Sequence, residues 1–142
     1  MININFSTAE LIYDKTSRMI KTSIQQVVHV YQARSFWFLN ISCDGGFECV
    51  RNLLSEMGIT LYVTSRNEHV PKIEIYIRSV KERVQVIRHT LPLKNYLPRI
   101  ISEVVYNAVF WLNSFPHTDG VHATTSPRTL LMELAIDYHK LF

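Results

Sequence analysis

Two short apolar runs constrain this chain more than any other feature. Phe36 to Cys43 (FWFLNISC) is aromatic and β-branched over eight residues, and Ile59 to Thr64 (ITLYVT) has the same character over six. Each reads as a buried strand. Between them, Asp44-Gly45-Gly46 signals a turn. Phe47 to Met57 then predicts a short helix with Phe47, Val50, Leu53 and Leu54 on one side, stopped by Gly58. Strand, helix and strand in that order imply a parallel pair with helices packed on the sheet.

The rest of the chain extends the pattern. Ile2 to Phe6 alternates apolar and polar residues and reads as a short first strand. Asp14 to Arg34 reads as a helix, with Met19, Ile20, Ile24, Val27, Val28 and Tyr31 recurring at three and four, and Asp14 or Thr16 able to cap its start. Pro71 to Thr90 and Pro98 to Phe115 are predicted helices, and Pro127 opens a last short one. The expected class is α/β, a central sheet flanked by helices. The first strand has no earlier strand to pair with, so the fold is expected to be incomplete at its N-terminus.

At 142 residues the length is that of one domain, and 47% hydrophobic with 19% charged residues describes a globular chain. The most apolar stretch, Leu97 to Phe115, is interrupted by Arg99, Glu103 and Asn107, so no membrane span is expected. The opening MININFSTAE has neither the basic head nor the apolar centre of a signal peptide. Two cysteines, Cys43 and Cys49, make neither a disulfide framework nor a zinc site. Cys43 reads as a buried strand thiol. A reducing compartment, nuclear or cytoplasmic, is the expected location.

Charge is unevenly placed. Residues 66–99 hold eight basic and three acidic side chains, while the remainder holds seven basic and nine acidic. A concentrated basic stretch suits a polyanionic partner, although a solvated helix face produces the same composition. The predicted helix from Pro71 gives the charges a geometry. With Glu74 at zero and about 100° per residue, Arg78, Gln85, Lys81 and Arg88 fall within about 40° of it on either side. Ile73, Ile77, Val80, Val84 and Ile87 fall between about 220° and 300°, the expected core stripe. A carboxylate followed by cations on one face suits phosphoryl transfer on nucleic acid, with metal on the carboxylate and phosphates on the cations. Glu74 and Arg78 are also at the spacing of an ordinary helical ion pair. Asp44, at the carboxyl end of a predicted strand, stands where ligand sites form in open α/β sheets.

Three segments resemble the catalytic core of a copia-type retrotransposon integrase, within the retroviral-integrase group. CDGGFECVRNLL resembles the strand-end Asp-x-Gly-x-Glu-Phe pattern that holds the second catalytic Asp. GITLYVTSRNEHVPKIEIYIRSVKERVQVIRHTLP resembles the strand, loop and helix that carry the catalytic Glu. AVFWLNSFPHTDGVHATTSPRTLLMELAIDY resembles the tail of Ala-x-x-x-x-Asn-x-x-Pro, Ser-Pro and Ile-Asp-Tyr. The resemblance implies an RNase H-like three-layer fold, with residues 1–116 forming a partial core and 117–142 its C-terminal tail with a short helix. It implies Asp44 and Glu74 as catalytic and metal-binding residues for Mg²⁺ or Mn²⁺, weakly held. It implies Arg78, Lys81 and Arg88 as DNA contacts, with a homo-oligomer as a further possible partner and no membrane.

The sequence departs from the family pattern. The first catalytic Asp belongs to a strand upstream of Ile2 and has no counterpart; Asp14, at a helix start, does not match it. The 29 residues between Asp44 and Glu74 are fewer than usual. Ile75 and Ile77 stand where relatives often have Arg and Asn. The zinc-binding N-terminal module and the C-terminal region are absent. The expected function is therefore that of a Pol integrase fragment, bound to DNA and inactive alone. The rival expectations are a non-catalytic nucleic-acid-binding or assembly module derived from a mobile element, and a degenerate reading frame. His69 reads as a loop histidine, and Trp37 and Trp111 as core residues because both lie in apolar runs. No Ser-His-Asp order and no nucleotide-cradling glycine loop is present.

Overall fold

The computed structural model describes residues 4–64, 71–92, 95–118, 120–134 and 137. In chain order the elements are α1 (Ser17–Gln32), β1 (Asn40–Cys43), a 3-10 helix (Gly45–Val50), α2 (Arg51–Glu56), β2 (Thr60–Val63), α3 (Pro71–Thr90), α4 (Pro98–Ser114) and α5 (Pro127–Met132). They divide between two compact units, Glu10–Pro71 and Met1–Ala9 with Lys72–Phe142.

In the first unit β1 and β2 pair in parallel, with Ile41 opposite Leu61 and Cys43 opposite Val63. Parallel strands cannot be joined by a tight turn, so the 3-10 helix and α2 form the crossover. Side chains alternate across the pleat. Ile41, Cys43, Leu61 and Val63 turn to the packed face, while Asn40, Ser42, Thr60 and Tyr62 stay exposed. The packed face joins Ile20 and Val28 of α1, Val50, Leu54 of α2, and Ile59 in one core cluster. Thr16 caps α1 by accepting from the Met19 amide, and Asp14 braces the cap by accepting from both the Thr16 amide and its hydroxyl. That pairing, the hydroxyl first, holds the Asp14 carboxyl below its ordinary range.

The predicted stop at Gly58 has a full hydrogen-bonded form. Gly58 adopts φ +72°, its amide donates to the Ser55 carbonyl at 3.0 Å, and the Ile59 amide donates to the Leu54 carbonyl at 2.8 Å. This is a Schellman cap, and its accompanying apolar contact brings together Ile59 and Leu54, both buried in the core cluster. A glycine is needed there because other residues pay a steric cost at positive φ.

In the second unit α4 packs on α5, burying Val104, Ala108 and Val109 of the one and Pro127 and Leu131 of the other. Ser126 caps α5 through the Thr129 amide, with Pro127 in the first turn. The buried Asn113 side chain acts like a strand neighbour. Its Oδ1 accepts from the Ser7 amide at 3.0 Å and its Nδ2 donates to the Ser7 carbonyl at 2.7 Å. Asn113 and Ser126 are the tail-motif residues, and both have structural work.

Five expectations need correction. Residues 4–6 form no strand; residues 2 and 3 lie outside the described residues. The sheet described is a parallel pair. The strand expected over Phe36 to Cys43 begins only at Asn40, because ladder length follows the partner: the Thr60 amide donates to the Leu39 carbonyl and nothing precedes that rung. Trp37 and Leu39, expected in the core, are each 74% exposed, whereas Trp111 is half-buried and stacks on Phe115. On α3 the inward side is Tyr76, Val80, Val84 and Ile87, while Ile73 and Ile77 are exposed at 48% and 46%. The buried stripe is rotated toward Tyr76, whose large ring takes an inward position that an aliphatic tally passes over.

Leu54→Ala should therefore cost about 2–5 kcal/mol, as for a fully buried leucine, and Ile77→Ala less than about 1 kcal/mol. Urea unfolding midpoints at constant slope measure both. A larger loss at Ile77 would restore the original phasing.

Candidate nucleic-acid interface

Asp44 follows β1 directly and caps the 3-10 helix. Its Oδ1 accepts from the Gly46 amide at 2.6 Å, and its carbonyl accepts from the Phe47 amide at 3.1 Å. A Cβ added at Gly46 would stand 3.3 Å from that Oδ1, so glycine two residues on gives the carboxylate its clearance. The end of β1 is held from the side by Thr64. Its amide and its hydroxyl both donate to the Cys43 carbonyl, at 2.9 and 3.0 Å. Asp44 is exposed on this anchored strand end. Burial, followed by the neighbouring Asp44 and Glu48 charges, pushes the Cys43 thiol up, which suits an inert strand residue.

Glu48, the Glu of the Asp-x-Gly-x-Glu-Phe pattern, is engaged with Arg51. Arg51 Nε donates to Glu48 Oε1 at 2.6 Å, and Arg51 Nη1 reaches the Leu61 carbonyl at 3.4 Å. The pair thus ties the crossover to β2. The Arg51 hydrogen bond holds the Glu48 carboxyl below its ordinary range, and Glu48 in turn raises Arg51. Sequence reasoning passed over this pair, although its spacing of three signals it.

In the second unit Glu74, Arg78, Lys81, Gln85 and Arg88 are all exposed on α3. They share the face computed for them from the helical repeat, so the charged stripe survives the rotation of the apolar one. From Glu74 to Arg88 it runs about 21 Å along the helix. Arg88 is held at its end. Its guanidinium lies over the Tyr96 ring, 5.1 Å from the centroid, and its carbonyl accepts from the Tyr96 hydroxyl at 2.6 Å. Tyr76, on the inward side, has a buried hydroxyl without a hydrogen-bond partner of good geometry. Burial raises its phenol while the nearby Ser7 side chain pulls it down.

Among the described residues no three His, Cys, Asp or Glu side chains converge as a metal cage needs. One oxygen of Asp44 is already engaged by a backbone amide. His69 lies outside the described residues, and among those described no helix is long and apolar enough to cross a membrane.

No family model matches the sequence, and no curated protein matches it. Among solved structures the chain is similar to the catalytic core domain of BIV integrase, with a TM-score of 0.62 and 19% identity, over 92% of this chain and 80% of that one. The fold is that of an integrase catalytic core. At that identity the likeness speaks for the fold, and the side chains must argue for themselves.

Removing the arginine tests the local electrostatics. Because the Glu48 carboxyl is lowered in the folded chain, the pair's contribution is present above the ordinary glutamate range and is lost as pH falls through the lowered value. Arg51→Leu should return Glu48 to the ordinary range in a carboxyl-carbon NMR titration. An unmoved Glu48 would place the cause elsewhere.

Proposed function

We propose that this chain is a DNA-binding integrase fragment of the copia retrotransposon type that does not process or join DNA ends by itself. The observation carrying this reading is the exposed stripe of Arg78, Lys81 and Arg88 on one helix of an integrase-core fold. Exposed cations one and two turns apart on a helix face contact phosphates without reading bases, which serves positioning along a duplex. The copia type is supported by the order Asn113, Pro116, Ser126-Pro127 and Asp137-Tyr138 in the tail.

Catalysis in this reading needs more than Asp44 and Glu74. A divalent ion at such a site stabilises charge on the attacking and leaving oxygens, and a bridging carboxylate holds two ions for in-line displacement. Asp44 and Glu74 are the carboxylates proposed for Mg²⁺ or Mn²⁺. The alternative reading, a non-catalytic nucleic-acid-binding or assembly module derived from a mobile element, needs only the exposed cations of α3. Self-association belongs to the same proposal. Leu39 and Cys43 turn their carbonyls to β2, so Asn40 and Ser42, the alternate residues of β1, turn their backbone groups to the other edge.

Replacing Arg78 and Lys81 by Glu should weaken duplex binding and reduce the slope of log affinity against log salt by about one for each phosphate that is no longer neutralised. Unchanged affinity across salt concentrations would remove the proposed interface. The purified 142-residue chain should give no turnover of a labelled DNA end in Mg²⁺ or Mn²⁺. Turnover abolished by Asp44→Asn and Glu74→Gln would mean that the carboxylates are undercounted.

A further inference from the structure

The charged face of α3 does not run out into open solvent at its C-terminal end. Gln85, Arg88 and His89 lie at about 20°, 320° and 60° on the wheel that starts at Glu74. With Leu91 and Tyr96 they line a hollow of about 520 Å³. That is within the usual size of small-ligand sites. A second hollow of similar volume, between the end of α3 and the start of α4, is walled mainly by Ile87, Leu91, Leu97, Ile100 and Val104, with Arg99, Glu103 and Asn107 also lining it.

Tyr96 is a fixed platform in the polar hollow. Its hydroxyl is tied to the Arg88 carbonyl and one face of its ring is met by the Arg88 guanidinium. Such a ring loses little freedom when a flat group stacks on it. Leu91 adds an apolar wall, and the exposed Gln85 amide offers both donors and an acceptor. Aromatic face, guanidinium plane and amide edge together recognise a flat heteroaromatic ring with a hydrogen-bonding rim. A phosphate is the poorer occupant. The carbonyl end of a helix carries partial negative charge, and Arg88 and His89, the basic residues of the last turn, already offset it.

The geometry points to this hollow as a binding site for an unpaired nucleobase at the end of a DNA strand. The strand's phosphates then follow α3 toward Lys81, about 10 Å away along the axis, and Arg78. The base site stands on its own geometry, while the direction of the strand rests on the DNA-binding reading above.

The test compares a blunt duplex with the same duplex carrying one unpaired 2-aminopurine at its 3′ end. The overhang should bind about tenfold more tightly, the scale of one base stacked on an aromatic ring, and its fluorescence should be quenched. Tyr96→Ala should abolish the preference and the quenching, and Tyr96→Phe should keep the quenching. Gln85→Trp, at an exposed position, should block the hollow even where Tyr96→Ala fails to fold. Equal affinity for the two duplexes, or a preference that survives both Tyr96→Ala and Gln85→Trp, overturns the site. If neither duplex binds, free 2-aminopurine nucleotide decides. Quenching that depends on Tyr96 keeps the base site and removes the DNA-binding reading, and no quenching overturns the base site.

Discussion

The parallel pairing of Asn40–Cys43 with Thr60–Val63 is the constraint from which the first unit follows. Two strands running the same way must be joined by a crossover, and the crossover must lie on one face of the pair. That face receives Ile41, Cys43, Leu61 and Val63 from the strands, Leu54 from the crossover and Ile20 and Val28 from α1. The Schellman cap at Gly58 turns the chain from helix to strand while keeping Ile59 in the core. The same pairing sets where Asp44 stands, since the Cys43 carbonyl beside it is held twice by Thr64. A carboxylate at a strand end anchored in this way has little freedom to drift.

The motif residues divide by the work they do. Gly46 leaves room for the Asp44 carboxylate, Glu48 and Arg51 tie the crossover to β2, Asn113 holds the Ser7 backbone, and Ser126 caps α5. None of them requires chemistry on a substrate.

Much of the architecture was readable from spacing. Pro71–Thr90 was bounded by its own proline and its periodicity, Gly58 announced the end of α2, and Ser126-Pro127 announced α5. Helix starts and stops are local, decided by caps and by residues with restricted or permissive φ, so they survive without knowledge of the fold. Strand ends are not local. Trp37 has strong strand propensity and still lies outside the ladder, because a strand exists only where a neighbour supplies hydrogen bonds.

By itself the sequence determined that strands and helices alternate, that cations gather on one face of α3, and that Asp44 falls at the end of a strand. These depend on the helical repeat, on the pleat and on residue-level conformational limits. Only the tertiary structure decided which face of α3 turns inward, because Tyr76 there competes with Ile73 and Ile77 for burial. Only it placed Tyr96 against Arg88, eight residues apart and joined through a helix end. Such a contact depends on how the chain turns after Thr90, and no periodicity within a helix reports what lies beyond its last turn.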